Sequence, residues 1–289
     1  MTDSQTSKFR KVKYEQYYTP WRTAQILYEF LVSVVGKDFD NFVEPSAGKG
    51  AFLACMPPDK RIGIDIDRWG WHYGSVGKDI EEQDFFNFVW PEGRTITIGN
   101  PPYGRRGKLA MKFLNISAEN SDVVAMILPA IFSKFTFINR VHPYMHLKSW
   151  CNPVMEFETE EGKTVEVRSV FQIWQKSLDK RPKIVKRTEC DHFMMTHRHT
   201  SRISSDELEQ LKRDSTVAIQ QIGGKVLSPE DVKRGSIWWI KGGDREIFEQ
   251  IDFFSLHQHH LGAISLTKAD IVERYLNIVS QKDQSQTLS

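Results

Sequence analysis

Asn100-Pro101-Pro102-Tyr103 follows the apolar run Thr95-Ile96-Thr97-Ile98-Gly99, and its residue types suit one kind of chemistry. Two prolines cannot continue a strand ladder, so the run reads as a strand that stops at a rigid corner with an aromatic at its tip. A planar exocyclic amine is a poor nucleophile because its lone pair is delocalised into the ring. It must be drawn towards a tetrahedral shape before it can attack an electrophilic methyl group. The side-chain oxygen of Asn100 and the backbone carbonyl of Pro101 can each accept one amine hydrogen, a preorganised electrostatic arrangement. Tyr103 can stack on the ring, while Pro102 and Pro101 remove two backbone donors that would compete for those acceptors. Asn-Pro is also a frequent turn initiator, so the companions of the motif decide its meaning.

In an open α/β sheet, ligands bind at the carboxyl ends of strands. Asn41 to Phe52 reads as a short strand, a glycine-bearing loop (Glu44-Pro45-Ser46-Ala47-Gly48-Lys49-Gly50) and a helix start, and small residues there let a ligand approach the backbone. About twenty residues further on, the strand Ile62 to Asp67 ends in acids, the placement that binds ribose hydroxyls, with Asp65 the better placed. The loop is neither a Walker A sequence nor G-x-G-x-x-G, which favours a nucleoside-type cofactor without a pyrophosphate over ATP or NAD. Upstream, Thr19 is placed to cap a helix whose first residue is Pro20, and Ala24, Leu27, Phe30, Leu31, Val34 and Val35 keep helical spacing until Gly36. Asp84 and Phe85 could bond and flank an adenine, or Phe85 and Phe86 could be a buried pair. Gly104-Arg105-Arg106-Gly107-Lys108, directly beyond the corner, is an exposed turn or a phosphate clamp; its position favours the clamp.

The 289 residues allow one large domain, or one domain plus an appendage, and 40% hydrophobic with 12% aromatic content can fill a sizeable core. A net charge of +2 neither demands nor excludes a polyanionic partner. Three cysteines without C-x-x-C spacing argue for a reducing compartment, and no segment resembles a signal peptide or a membrane span, so an intracellular, cytoplasmic protein is expected. A helix from Leu109 to Ile116, a buried strand from Val123 to Pro129, and strands at Trp150 to Phe157 and Val165 to Trp174 around an acidic turn give an α/β class. They describe a wound, mostly parallel sheet with an antiparallel edge hairpin. The expected divisions are a basic arm over 1–13 (Lys8, Arg10, Lys11, Lys13), a catalytic domain over 14–180, a small α+β segment over 181–280 and a polar tail over 281–289. In that segment a helix starts at Ser205, strands cover Thr216 to Ile222 and Ser236 to Ile240, and Thr267 caps a helix through Ile278. Trp238 and Trp239 should be alternately packed and exposed. Cys190, His192, His197 and His199 match neither common zinc-finger spacing, and with His257, His259 and His260 they are expected to hold no metal.

With Thr19-Pro20, Glu44-Pro45-Ser46-Ala47-Gly48-Lys49-Gly50, Asp65, Asp84-Phe85 and Asn100-Pro101-Pro102-Tyr103 in that order, residues 14 to 175 resemble the S-adenosylmethionine-dependent DNA adenine-N6 methyltransferases of the gamma motif order. The resemblance implies a Rossmann-like methyltransferase sheet and S-adenosylmethionine as cofactor. It implies Tyr18, Thr19 and Pro20 against the methionine moiety, Glu44, Pro45, Ala47, Gly48 and Gly50 cradling the cofactor, Asp65 on the ribose, and Asp84 and Phe85 on the adenine. Asn100 and Pro101 would hold the target amine beside the cofactor, with Tyr103 on the base, which is flipped out of double-stranded DNA. A bacterial or phage origin, in a restriction-modification setting, belongs to the same implication; a partner subunit or homodimer is left open. Large members carry an extensive target-recognition domain, whereas here only residues 181–289 remain, and Ala218 to Gly224 with Ser236 to Ile240 look like the compact C-terminal part of phage-type enzymes. An RNA base methyltransferase is the alternative. A protein glutamine methyltransferase is less favoured, because those usually carry an Asp-x-Gly-x-Gly loop, and a catalytically silent nucleic-acid-binding module is the reading of another class.

Overall fold

The structure, a computed structural model, describes residues 17–67, 73–152, 156–159, 162–253 and 265–287; the basic arm and the His257, His259 and His260 group lie outside them. The chain divides into two compact units, Met1–Ile184 and Val185–Ser289. No described helix is long and apolar enough to cross a membrane.

The first unit carries helix α1 (Trp21–Val35) and strands β1 (Asn41–Glu44), β2 (Arg61–Asp65), β3 (Ile80–Glu82) and β4 (Thr95–Gly99). Helix α2 (Lys108–Asn120), β5 (Val123–Pro129), a short helix α3 (Phe135–Ile138), β6 (Met145–Cys151), β7 (Glu156–Glu158), β8 (Thr164–Glu166) and β9 (Ser169–Lys176) follow. Seven strands form one sheet in the order β3-β2-β1-β4-β5-β9-β6. Strands β1 to β5 pair in parallel, and β9 enters antiparallel to both β5 and β6. This is the mostly parallel, Rossmann-like sheet with an antiparallel edge that the sequence predicts. Every residue of β4 and all but the last of β5 are buried, as befits parallel strands covered on both faces. Along β5 the alternation is visible: Val123, Ala125 and Ile127 join the core under α1 with Leu27 and Leu31, whereas Val124, Met126 and Leu128 join the core under α2 with Phe113 and Leu114.

Local details depart from the sequence reading. Pro20, not Thr19, occupies the cap position of α1, and Thr19 is buried beside it. No α-helix follows the Gly48 loop; turns and a single 3-10 turn at Leu53–Cys55 take its place, because Pro57 and Pro58 leave no room for a second turn. The two edge strands expected after residue 150 are four. β6 and β9 complete the main sheet, and the chain between them folds into the separate hairpin β7-β8. Phe171 is fully buried in the core.

The second unit has a four-stranded sheet in the order β10-β13-β11-β12, built from β10 (Phe193–His199), β11 (Val217–Gln220), β12 (Val226–Leu227) and β13 (Ser236–Gly242). Helices α4 (Ser205–Asp214), α5 (Arg245–Gln250) and α6 (Lys268–Thr287) accompany it. Ser204 caps α4 by accepting the Glu207 N–H at 3.1 Å, and Thr267 with Asp270 forms a reciprocal cap on α6, which runs well past Ile278. Trp238 and Trp239 point to opposite faces as expected, but neither is exposed, because each face has its own apolar cluster. Among the described residues no group of three His, Cys, Asp or Glu could hold a metal ion. The ring of His197 instead lies 4.6 Å from Trp238, and the His199 ring nitrogen engages Ser201.

Candidate active site

In the strand order, β1 and β4 are neighbours from which the chain winds in opposite directions, and such a switch point leaves a crevice at the strands' carboxyl ends. The Glu44–Gly50 loop leaves β1 there and the Asn100 corner leaves β4. The two are joined: the Ser46 hydroxyl donates to the Asn100 carbonyl at 3.0 Å. Gly99 approaches Pro45 so closely that a Cβ at Gly99 would stand 3.3 Å from the proline ring.

Asn100 carries the least expected feature of the corner. Its Nδ2 donates to the Tyr17 carbonyl at 3.3 Å, which fixes the amide's orientation, and its Oδ1 is then buried with no hydrogen-bond partner. A buried unpaired acceptor costs about 1 to 3 kcal/mol, so it calls for a function. Pro101 is buried behind it. The Tyr103 hydroxyl donates to Ser169 Oγ at 2.9 Å, and that hydroxyl donates onward to the Val167 carbonyl, so the ring is pinned at one end.

The loop after β1 is shaped by its glycines. Gly48 has a φ of 51°, and a Cβ there would lie 3.1 Å from the Tyr18 ring; Gly50, at 74°, would press a Cβ into Val76. The Ala47 N–H donates to the Ile64 carbonyl, and the Gly48 N–H donates to Asp65 Oδ2 at 2.7 Å. Asp65 Oδ1 accepts from the Asp67 N–H at 3.0 Å. Burial pushes the Asp65 carboxyl up, and the Asp67 and Gly48 N–H groups pull it back. A carboxylate has about four acceptor positions, so these backbone N–H groups do not exhaust the acceptor capacity of Asp65.

Glu44 is turned into the protein. Its Oε2 accepts the Leu53 N–H at 2.9 Å, and it is almost fully buried. Burial raises its carboxyl well above the usual range, the Leu53 N–H opposes this, and the Asp65 charge adds to the rise. A carboxyl whose folded value is raised binds its proton more tightly in the native state, so stability falls as pH rises from the ordinary glutamate range of about 4.3 through the raised value. Glu44→Gln keeps an acceptor for Leu53 and removes the titration. Denaturant melts across that window should therefore show a smaller decline with pH for the variant than for the unaltered chain, and equal declines would remove Glu44 as the cause.

Asp84 reaches the same end of the sheet, since the Gln83 N–H donates to the Asp65 carbonyl at 2.9 Å. Asp84 is exposed, with Oδ1 capping a short turn through the Phe86 N–H. Phe85 is buried at 3% exposure and stacks on Phe113 with ring centres 4.8 Å apart, so its ring faces the core. Phe86 is the half-buried member of the pair, with Lys112 Nζ 3.6 Å above its ring. Arg105, Arg106 and Lys108 are exposed next to the corner, and Arg106 has a φ of 57°, the left-handed backbone that side chains seldom adopt.

Two contributors escaped the sequence reading. Ser46 ties the loop to the corner, and Glu158 on β7 clasps the N-terminal segment: Tyr18 and Glu158 exchange backbone hydrogen bonds of 2.8 and 2.9 Å. The only sequence signal was an acid at the start of a stretch resembling a solvated turn.

Parallel sheet, switch-point crevice and glycine loop define a Rossmann-like α/β architecture, and the chain's own strand order carries that conclusion. No family model matches the chain, and no curated protein does. Among solved structures, a Pyrococcus horikoshii protein described as a candidate RNA methyltransferase is similar at 20% identity and a TM-score of 0.45, covering 58% of this chain and 89% of that one. The 23S rRNA methyltransferase ErmE is similar at 12% identity and 0.41 (57% and 71% covered), and the 16S rRNA methylase RmtB at 12% and 0.35 (54% and 64%).

Proposed function

We propose that the chain is a methyltransferase that moves a methyl group from S-adenosylmethionine to the exocyclic N6 amine of an adenine in double-stranded DNA. The observation that carries this reading is the buried, partnerless Asn100 Oδ1 at the head of Asn100-Pro101-Pro102-Tyr103. An acceptor in that state is ready for an amine hydrogen and for little else. The residues fit the cofactor: Asp65 would take its ribose, Gly48 and Gly50 would admit it to the backbone, and Tyr18, Thr19 and Pro20 would flank it. Pro45 and Ala47 would line the loop, Glu44 would hold the loop's shape from beneath, and Asp84 would stand nearest its base. When bound, S-adenosylmethionine supplies a methyl group on a cationic sulfur.

The rest falls to the chain. Asn100 Oδ1 and the Pro101 carbonyl each accept one hydrogen of the amine, which draws the nitrogen's lone pair out of the ring. Tyr103, held by Ser169, offers a fixed surface for a base flipped out of its stack, whose extrusion costs a few kcal/mol. No covalent nucleophile is called for. Burial pushes the Cys55 and Cys151 thiols up to about 11, which leaves both protonated at neutral pH.

Arg105, Arg106 and Lys108 would neutralise phosphates beside the flipped base. Arg105→Ala with Arg106→Ala is expected to weaken DNA binding and to lower the slope of log K against log salt by about 0.9 for each phosphate no longer neutralised. An unchanged slope would take both arginines off the interface. The reading as a whole is tested by titrating the protein with S-adenosylmethionine and then with duplex DNA and single-stranded RNA. Donor binding followed by preferential duplex DNA binding supports it; preference for the RNA moves the substrate to that alternative, and no donor binding ends it.

A further inference from the structure

We infer that the second unit holds a phosphate site of its own, a cleft in which Arg202 and His199 grip the backbone of the nucleic acid on which the chain acts. The inference rests on the proposed function and gives a role to a unit and a histidine cluster that this reading leaves unused.

The cleft has a volume of about 500 Å³ and lies where β10 runs out into the turn before α4, with His197, Arg198, His199, Arg202 and Glu207 among its walls. Arg198 is already engaged. Its Nε donates to Glu207 Oε1 at 3.1 Å and its Nη1 to the His197 carbonyl at 3.0 Å. That pairing offsets the acid of the lining, whereas the exposed Arg202 side chain makes no ion pair or hydrogen bond among the described residues. Its guanidinium is a fixed fork of donors that matches a phosphate. His199 is set up as a donor beside it. The Ser201 N–H donates to His199 Nδ1 at 3.3 Å, and an imidazole nitrogen that accepts carries no hydrogen, so the ring hydrogen sits on Nε2. That Nε2 has no partner among the described residues. His197 adds an unsatisfied polar group to the same walls, for its Nε2 is buried without a hydrogen-bond partner. The neighbouring Trp238 ring cannot serve, because its Nε1–H donates to the Leu266 carbonyl at 3.0 Å. A buried polar atom left unpaired calls for an explanation, and here it accompanies an uncommitted guanidinium and an uncommitted imidazole N–H. The ligand that answers such a set is an oxyanion, and on a nucleic acid the oxyanion is the backbone phosphate.

The test measures duplex DNA binding across a salt series for the full chain, Arg202→Ala, Arg202→Lys and Arg187→Ala. Arg187 is an exposed cation of the same unit that pairs with Asp191 outside the cleft, so its loss controls for overall charge. Arg202→Ala should weaken binding about five- to tenfold at about 0.1 M salt and lower the slope of log K against log salt by about 0.9, the share of one phosphate. Arg202→Lys keeps the charge and should restore the slope while recovering only part of the affinity. Arg187→Ala should change neither. An unchanged slope in Arg202→Ala, or an equal drop in Arg187→Ala, overturns the inference. A second measurement follows the His199 Nε2 nitrogen by NMR as inorganic phosphate is added: its resonance should move in the full chain and stay still in Arg202→Ala. No movement in the full chain overturns the inference. Movement there with an unchanged DNA salt slope in Arg202→Ala assigns the cleft to a free anion and overturns it for the strand. A chain that binds S-adenosylmethionine and DNA but keeps its slope in Arg202→Ala defeats this inference alone, whereas a chain that binds neither ends the functional reading and this inference with it.

Discussion

Asn100→Ala is expected to slow methyl transfer by about 10²- to 10³-fold or more, the cost of removing one preorganised group from a developing charge. Thermal stability should hold or rise. The reason lies in the corner: Oδ1 is buried with no partner, so deleting it removes a desolvation penalty of about 1 to 3 kcal/mol, set against one lost bond from Nδ2 to the Tyr17 carbonyl. Donor affinity should stay within about twofold, because Asp65 and the Gly48 loop are untouched; a double-digit ratio would need about 1.4 kcal/mol. A second variant sharpens the point. Asn100→Asp keeps an acceptor but sets an oxygen against the Tyr17 carbonyl, so it should be less stable than Asn100→Ala while retaining more of the methyl transfer in the same assays. Loss of activity with loss of fold in Asn100→Ala would remove the residue from catalysis.

Asp65→Ala should act on the other half of the site, raising the KM for S-adenosylmethionine by about 10- to 150-fold, the range for one or two hydrogen bonds to a charged acceptor. Two effects add. The acceptors left for the ribose disappear, and the Gly48 and Asp67 N–H groups, now bonded at 2.7 and 3.0 Å, lose their partner, so the loop loses its fixed shape. At saturating donor, kcat should fall far less, because the Asn100 corner is intact. Asp65→Asn should not rescue fully, since one amide face would present hydrogens to a backbone N–H. A variant with an unchanged KM and a collapsed kcat would assign Asp65 to the wrong step.

Much of this arrangement was legible because it is local. A short, unbroken apolar run at Val123 to Leu128 reads as a strand buried on both faces, and the break from Ile98 into Pro101-Pro102 marks where β4 ends. The place of Asp65 at the end of β2 was readable from the short apolar strand before it. Phe85 was not settled, because whether its ring meets a ligand or Phe113 depends on α2 packing across the sheet, which no local pattern specifies. The helix expected after Gly50 failed for a reason visible in hindsight: Pro57-Pro58 lies too near to allow one. Trp238 and Trp239 were misjudged by assuming an open face where the second unit has a cluster on each. Glu158 was beyond reach, since its partner Lys49 stands 109 positions away and the pairing exists only once the β7-β8 hairpin folds back over the loop.

The central claim is that the Asn100 corner methylates a planar exocyclic amine of a nucleic-acid base. It is tested most directly by incubating the protein with methyl-labelled S-adenosylmethionine and duplex DNA, RNA or protein, then digesting each acceptor and separating its parts. The account predicts label in N6-methyldeoxyadenosine from duplex DNA, absent with Asn100→Ala. Label on a ring carbon, label confined to protein, or no label in any nucleoside would contradict it.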